Sequence, residues 1–232
     1  MIKKLDWDSA FLGKEVGTYE IQSETLELDI SFEKFDLIYL FADKPIKASE
    51  LLIQYYSIKL IGKKATYYKQ LSQVPYLDPN INLLDIKHVP DQRLIDIAAQ
   101  SGSYSRFHVD PQFPDIKFKE LYQLWLLNSI NRSIAEKVFV FKVDGIIAGL
   151  ITAGLKNGIP EIGLLAVDVD FRGQGIGQKL MAAVEHWSIV EKCLNKLQVI
   201  TQTANKAACH FYETAGFNLQ RKQFVYHIWK YK

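Results

Sequence analysis

Apolar residues return along this chain in two rhythms, one of three to four positions and one of two. Between Lys117 and Asn131, Phe118, Leu121, Tyr122, Trp125 and Leu126 form a stripe that predicts an amphipathic helix. Ile176, Leu180, Val184, Trp187 and Leu194 do the same for Gly175–Leu194. Lys206–Ala215 predicts a third helix and Asp91–Gln100 a fourth, with Asp91 at its start, where a carboxylate can accept from unpaired N–H groups. Val138–Val143 and Ile146–Leu155 read as strands joined at Asp144-Gly145, a tight-hairpin pair. Asn157-Gly158 leads on into Glu161–Val169, so three strands form a meander. Lys196–Thr203 and Phe217–Trp229 are the remaining strands of this part.

The region before it has a similar grammar. Phe35–Ala42 (FDLIYLFA) is an unbroken apolar run of strand length. Ala48–Leu60 places Leu51, Leu52, Tyr55, Tyr56 and Ile58 near helical spacing, with Gly62 as its stop, and Ala65–Leu71 reads as a strand. From Ser72 the chain carries Pro75 and Pro79 and few strong structure formers, which marks a link. Two units are therefore expected: a small α/β unit over 1–75 and a larger one over 81–232. The larger one opens with a strand at Ile81–His88 and holds a polar, aromatic loop at Ser101–Asp115.

Composition narrows the class. With 28 basic and 26 acidic residues the formal charge is only +2, which argues against a general nucleic-acid binder. Two cysteines, Cys193 and Cys209, cannot build a disulfide framework and read as reduced thiols. The N-terminus lacks the apolar core of a secretion signal, and the longest uncharged apolar stretch, Gly145–Leu155, is too short for a bilayer. The expectation is a cytoplasmic protein without membrane insertion. His88, His108, His186, His210 and His227 show no ligand spacing, so no metal is expected.

The chemistry concentrates in Leu164–Leu180 (LLAVDVDFRGQGIGQKL). A strand ends, the loop Arg172-Gly173-Gln174-Gly175-Ile176-Gly177 follows, and a helix starts at once. A helix N-terminus offers unpaired N–H groups and the positive end of its dipole, glycines let an anion approach closely, and Arg172 adds charge. This is a pyrophosphate cradle. The glycines are spaced by two throughout, unlike a dinucleotide fingerprint, and Gly177-Gln178-Lys179 is not a P-loop ending. The R-x-x-G-x-G pattern of Arg172, Gly175 and Gly177, following a meander and the strand LLAV, resembles the acetyl-CoA pyrophosphate loop of the GNAT-family N-acetyltransferases. Downstream, Asn205 through Phe217 is similar to the family's second cofactor segment, N-x-x-A-x-x-F-Y-x-x-x-G-F.

The resemblance implies an α/β GNAT fold over about 81–232: a mixed, mostly antiparallel sheet flanked by helices. It implies acetyl-CoA as cosubstrate, bound by the Arg172–Gly177 loop (Gly173, Gln174 and Ile176 included), by Asn205, and by backbone N–H groups of a bulged strand at Leu165, Ala166 and Val167. Tyr212 would be the general acid for the departing thiolate; a core aromatic beside Ala208 and Phe211 is the other reading. Glu161 falls where some members place a general base, and a solvated residue after Pro160 is equally open.

Two shorter motifs narrow the acceptor. Leu5-Asp6-Trp7-Asp8-Ser9 with Phe11 and Gly13, and Ser105-Arg106-Phe107 with Asp110-Pro111 and Phe113-Pro114, are similar to two-domain members that acetylate nucleotide-activated amino sugars. The nearest of these are the dTDP-fucosamine N-acetyltransferases, whose acceptor is a dTDP-4-amino-4,6-dideoxyhexose for surface polysaccharide synthesis. On that likeness Arg106 and His108 hold phosphates, Phe107 or Phe113 stacks on base or sugar, and Asp110 accepts from a hydroxyl or the amine. The alternative is that this loop only packs Phe107 and Phe113 into the core. Direct transfer in a ternary complex is expected, since neither cysteine is placed to carry an acetyl group. A GNAT acting on a protein N-terminus or a small amine, and a non-catalytic acyl-CoA-binding regulator, stay as rivals. A homodimer is left open.

Overall fold

The computed structural model describes residues 1–231. Twelve strands form in chain order: β1 Lys3–Lys4, β2 Val16–Ile21, β3 Thr25–Leu26, β4 Leu37–Ala42, β5 Lys47–Ala48, β6 Tyr56–Gln70, β7 Ile81–Leu83, β8 Lys137–Val143, β9 Ile146–Lys156, β10 Ile159–Val167, β11 Lys196–Gln202 and β12 Asn218–Lys230. The seven α-helices are α1 Asp6–Leu12, α2 Glu50–Tyr55, α3 Gln92–Gln100, α4 Arg106–Val109, α5 Asp115–Ile130, α6 Ile176–His186 and α7 Lys206–Thr214. Ten strands make one mixed sheet in the order β1-β2-β4-β12-β6-β11-β10-β9-β8-β7; β3 and β5 pair separately. No helix among the described residues is long and apolar enough to cross a membrane.

The meander folds as its turns require. Asp144-Gly145 and Asn157-Gly158 both adopt positive φ, the conformation a two-residue hairpin turn needs. Asp91 caps α3 by accepting from Leu94 N at 2.8 Å, and Asn205 caps α7 by accepting from Ala208 N at 3.1 Å. Side chains of the sheet alternate between two cores. Val138, Val140 and Leu150 pack under α3 and α5, with Leu94, Ile97, Leu121 and Leu126. Phe141, Ala148, Ile151 and Val199 pack under α6 and α7, with Leu180, Val184 and Tyr212. A third cluster joins Ile38 and Leu40 to Phe32, Leu52 and Ile228.

The expected helix at Ala48–Leu60 is corrected. It stops at Tyr55, and a 15-residue strand runs from Tyr56 through Gly62 to Gln70. That strand is paired on both edges, with β12 through Tyr56–Tyr68 and with β11 through Lys64–Gln70. Two ladders outweigh a weak helical period. The segments 1–75 and 81–232 thus share one continuous sheet, with β6 between β12 and β11. The expected strand Ile81–His88 is only Ile81–Leu83, and Ser101–Asp115 contains the single-turn α4. The helix expected to reach Leu194 loosens into a π turn at Trp187–Glu191.

Candidate active site

The site starts from a break in the sheet. β10 and β11 run parallel but pair only at Glu161 with Gln198 and Ile162 with Val199. Between Ile162 and Leu165 the register of β10 against β9 shifts. The bulge puts Ile162 in one core and Leu164 in the other, although the two are two residues apart. Thr152 holds it: its hydroxyl accepts from Leu164 N at 2.8 Å. Past the bulge β10 remains paired with β9, while β11, paired with β6 along its whole length, leaves the other edge of Ile200–Gln202 open. Two strand edges face each other across an open cleft.

The direction of the β10 amides follows. Leu164 N points to Thr152 and Asp168 N to Ala148 O at 2.9 Å, both on the β9 side. Successive amides alternate, so Leu165 and Val167 aim N–H at the cleft while Ala166 faces β9. Of the three expected strand donors, two point into the site. Ala166 does not.

Beyond the cleft lies the glycine loop. Gly173 and Gly175 have φ of +77° and +73°, left-handed values that glycine adopts at no steric cost, and Gly175 stands at the start of α6. The first intrahelical bond runs from Lys179 N to Gly175 O at 3.2 Å, which leaves the N–H groups of Ile176, Gly177 and Gln178 pointing off the helix end. Gly177 packs against Phe211: a Cβ there would lie 3.1 Å from its ring. Arg172 donates from Nε to Val167 O at 3.0 Å and from Nη2 to Gln100 at 2.9 Å, so its guanidinium is fixed at the edge of the cleft. Free amides, open glycines and a fixed cation fit a pyrophosphate.

Two cavities fill the cleft. One of about 540 Å³ is lined by Leu165, Ala166, Val167, Arg172 and Gly177. The other, about 460 Å³, lies under Phe41, Lys64, Arg106, Trp125 and Thr201. They share Ser101, Tyr104, Leu165, Asn205, Ala208 and Tyr212 in their walls. Tyr212 is therefore at the junction. Its ring is buried among Tyr67, Phe211 and Phe217, and burial, followed by the neighbouring Cys209, pushes its phenol up, so it holds its proton at neutral pH.

The other expected site residues divide. Arg106 and Phe107 line the 460 Å³ cavity. His108 is exposed and packs on Phe118, with its ring 4.6 Å away, outside both cavities. Asp110 is 1% exposed and closed off: it accepts from His227 Nδ1 at 2.5 Å, Trp229 Nε1 at 2.8 Å and Gln112 N at 2.9 Å. It has no face toward an acceptor. Phe113 is buried against Phe107. Glu161 lines neither cavity; its carboxylate takes Gln198 Nε2 at 2.8 Å and Lys156 at 3.4 Å. Lys64, Lys156, Tyr104 and Trp125 are wall residues that sequence reasoning missed. Only Trp125 carried a local signal, as part of the α5 stripe.

The model of the Acetyltransferase (GNAT) family matches residues 93–217. Over 96% of its length the chain is 24% identical to 81% of the spore coat polysaccharide biosynthesis protein SpsD of Bacillus subtilis. A shorter stretch of 67 residues, 29% of the chain, is 34% identical to 38% of N-alpha-acetyltransferase 30 of Saccharomyces cerevisiae. Among solved structures, a GNAT-family protein from Novosphingobium aromaticivorans superimposes with a TM-score of 0.52 at 14% identity, covering 85% of this chain and 75% of that one.

Proposed function

The chain belongs to the GNAT family of acetyltransferases, and from that premise we propose that it transfers acetyl from acetyl-CoA to the amine of a nucleotide-linked amino-deoxy sugar of the 4-amino-4,6-dideoxyhexose type, for surface polysaccharide synthesis. The observation that carries this is the meeting of two cavities at Tyr212, one under the glycine loop and one walled by Phe41 and Lys64 together with Arg106 and Phe107. The likeness, over 96% of the chain, to a protein named for polysaccharide biosynthesis supports the choice of acceptor.

Acetyl-CoA supplies an activated acetyl thioester. The amides of Ile176, Gly177 and Gln178 and the Arg172 guanidinium hold its pyrophosphate. Leu165 and Val167 N–H groups bind along the cleft, and Leu165, at the junction, is placed for the carbonyl oxygen that gains charge during transfer. The neutral amine of the acceptor enters from the 460 Å³ side and attacks the carbonyl carbon. As the C–S bond breaks, Tyr212 Oη gives its proton to the sulfur; the amine loses its proton to water, and Tyr212 regains one from solvent before the next turnover. Glu161, tied to Gln198 and Lys156, takes no part as a base.

The test is incubation with acetyl-CoA and a panel of nucleotide-linked amino sugars, peptides and small amines, reading released thiol. Transfer to an amino sugar with none to peptides is the expected result. Transfer to peptides alone would move the protein to the N-terminal acetyltransferases, and no thiol release above the uncatalysed rate with any acceptor would leave only a CoA-binding role.

A further inference from the structure

We propose that the acceptor is an anion carrying a phosphate ester, and that Lys64, Arg106 and Lys156 bind that anion in the 460 Å³ cavity. This rests on the reading of that cavity as the acceptor site. The wall of the cavity contains these three cations and no aspartate or glutamate. A cavity with that balance attracts phosphate and repels a polyamine or a basic peptide.

The three cations are poorly paired. The Arg106 side chain makes no hydrogen bond or ion pair among the described residues, and its Nε is buried without a partner. Its guanidinium is packed on aromatic faces instead, 4.4 Å from the Tyr39 ring centroid, 4.5 Å from Phe107 and 5.5 Å from Phe41. Asp8 acts on it through space without forming an ion pair. Lys64 lies over the same Phe41 ring at 4.9 Å, so that one ring serves two cations. Burial pushes the Lys64 ammonium down, and Lys156, Arg106 and Arg221 push it further. Lys156 has one partner, Glu161, at 3.4 Å. Holding the half-buried Lys64 and Arg106 together, with the exposed Lys156 beside them, costs stability, and a bound anion offsets it. An arginine fork and two ammoniums also match the several oxygens of a phosphate or diphosphate.

Lys64 decides the matter because it stands far from the family's own motifs. It projects from β6 where that strand pairs with Gln202 on one side and Gln223 on the other. Its neighbour Lys63, one residue away and so on the opposite face, lies over Phe224 and serves as the control.

The test titrates thymidine diphosphate, and separately a hexose 1-phosphate, into enzyme saturated with CoA, so that the glycine loop is already filled. Binding of either probe is expected to weaken about 10- to 100-fold in Lys64→Met, to recover in part in Lys64→Arg, and to stay unchanged in Lys63→Met. The stronger of the two probes identifies which phosphate carrier supplies the anion. Steady-state kinetics should show the same split, with KM for a phosphate-bearing acceptor rising and KM for acetyl-CoA little moved. Lys64→Gln replaces Lys64→Met if the latter melts below the assay temperature. Unchanged affinity for both probes in the lysine variant would overturn the proposal. So would equal KM values for an amino sugar with and without its phosphate, and in that case the amino-sugar reading stands. Lys64-dependent binding without acetylation of any amino sugar would sustain the anion site and overturn the amino-sugar reading instead.

Discussion

Tyr212 and Asp110 are both buried, and burial gives them opposite roles. Tyr212 keeps a proton that can be given away at the junction of two cavities. Tyr212→Phe retains the packing on Phe211 and Phe217, so kcat should fall roughly 10²-fold with the melting temperature little moved. A thioester with a more acidic leaving thiol should restore part of the rate; wild-type kcat would make the residue a core aromatic. Asp110 is a clamp. Burial pushes its carboxyl up, but the hydrogen bonds from His227, Gln112 N and Trp229 outweigh this and hold it below the usual range. His227 is pushed down by burial, against the opposing pull of Asp110, and is neutral in the fold. Asp110→Ala strands two buried donors and should cost about 3 kcal/mol or more, read by denaturant melts. The signs give a pH profile as well. Below about pH 6.5 the unfolded chain protonates His227 and the folded one resists, so stability falls. Below about pH 4 the depressed Asp110 adds a second loss, because the unfolded carboxyl takes its proton first. A melting temperature flat from pH 7.5 to 5 would contradict the first part. A sequence shows that Asp110 is a carboxylate in an aromatic loop; it does not show that His227 and Trp229, more than a hundred residues later, close around it.

At the scale of elements, the bulge and the helix start are each held by a residue whose replacement tests the proposed role. Thr152→Val removes the acceptor of Leu164 N at nearly constant shape and leaves a buried donor unpaired. The expected cost is about 1–3 kcal/mol by thermal melt, with kcat/KM falling as Leu165 loses its aim. Unchanged activity would mean the bulge holds itself. Gly175→Asp puts a charge at the α6 start, where the pyrophosphate is expected, and CoA affinity by calorimetry should drop about 10-fold or more, at least about 1.4 kcal/mol. Affinity unchanged in a folded variant would remove the cradle. The glycine loop, both hairpin turns and the cap at Asp91 were legible because each is a local event of a few residues. The bulge was expected only through resemblance, since Gly163 and Leu164 carry no distinctive side chain.

For the whole molecule the decisive element is β6, and it is the one the sequence hides best. Leu52 and Tyr56 are buried four residues apart, a helical spacing, while the strand's partners β11 and β12 begin at Lys196 and Asn218. Local periodicity has no access to a ladder closed over that distance. For the same reason Lys64 was invisible as a site residue. The ten-stranded sheet has its weak seam where β10 leaves β11 after Val199. A ligand with two amides of its own, as the pantetheine arm has, can lie in that seam as a substitute strand and donate and accept where neighbouring protein backbone is missing. Binding is then linked to the stability of the fold. At a hundredfold excess over Kd it adds about 2.7 kcal/mol to global stability, and amide exchange at Leu165 and Val167 should slow well beyond that of the already paired Ala166. Saturating CoA should therefore also slow proteolysis of the purified chain, to the extent that cleavage passes through molecules open at this seam.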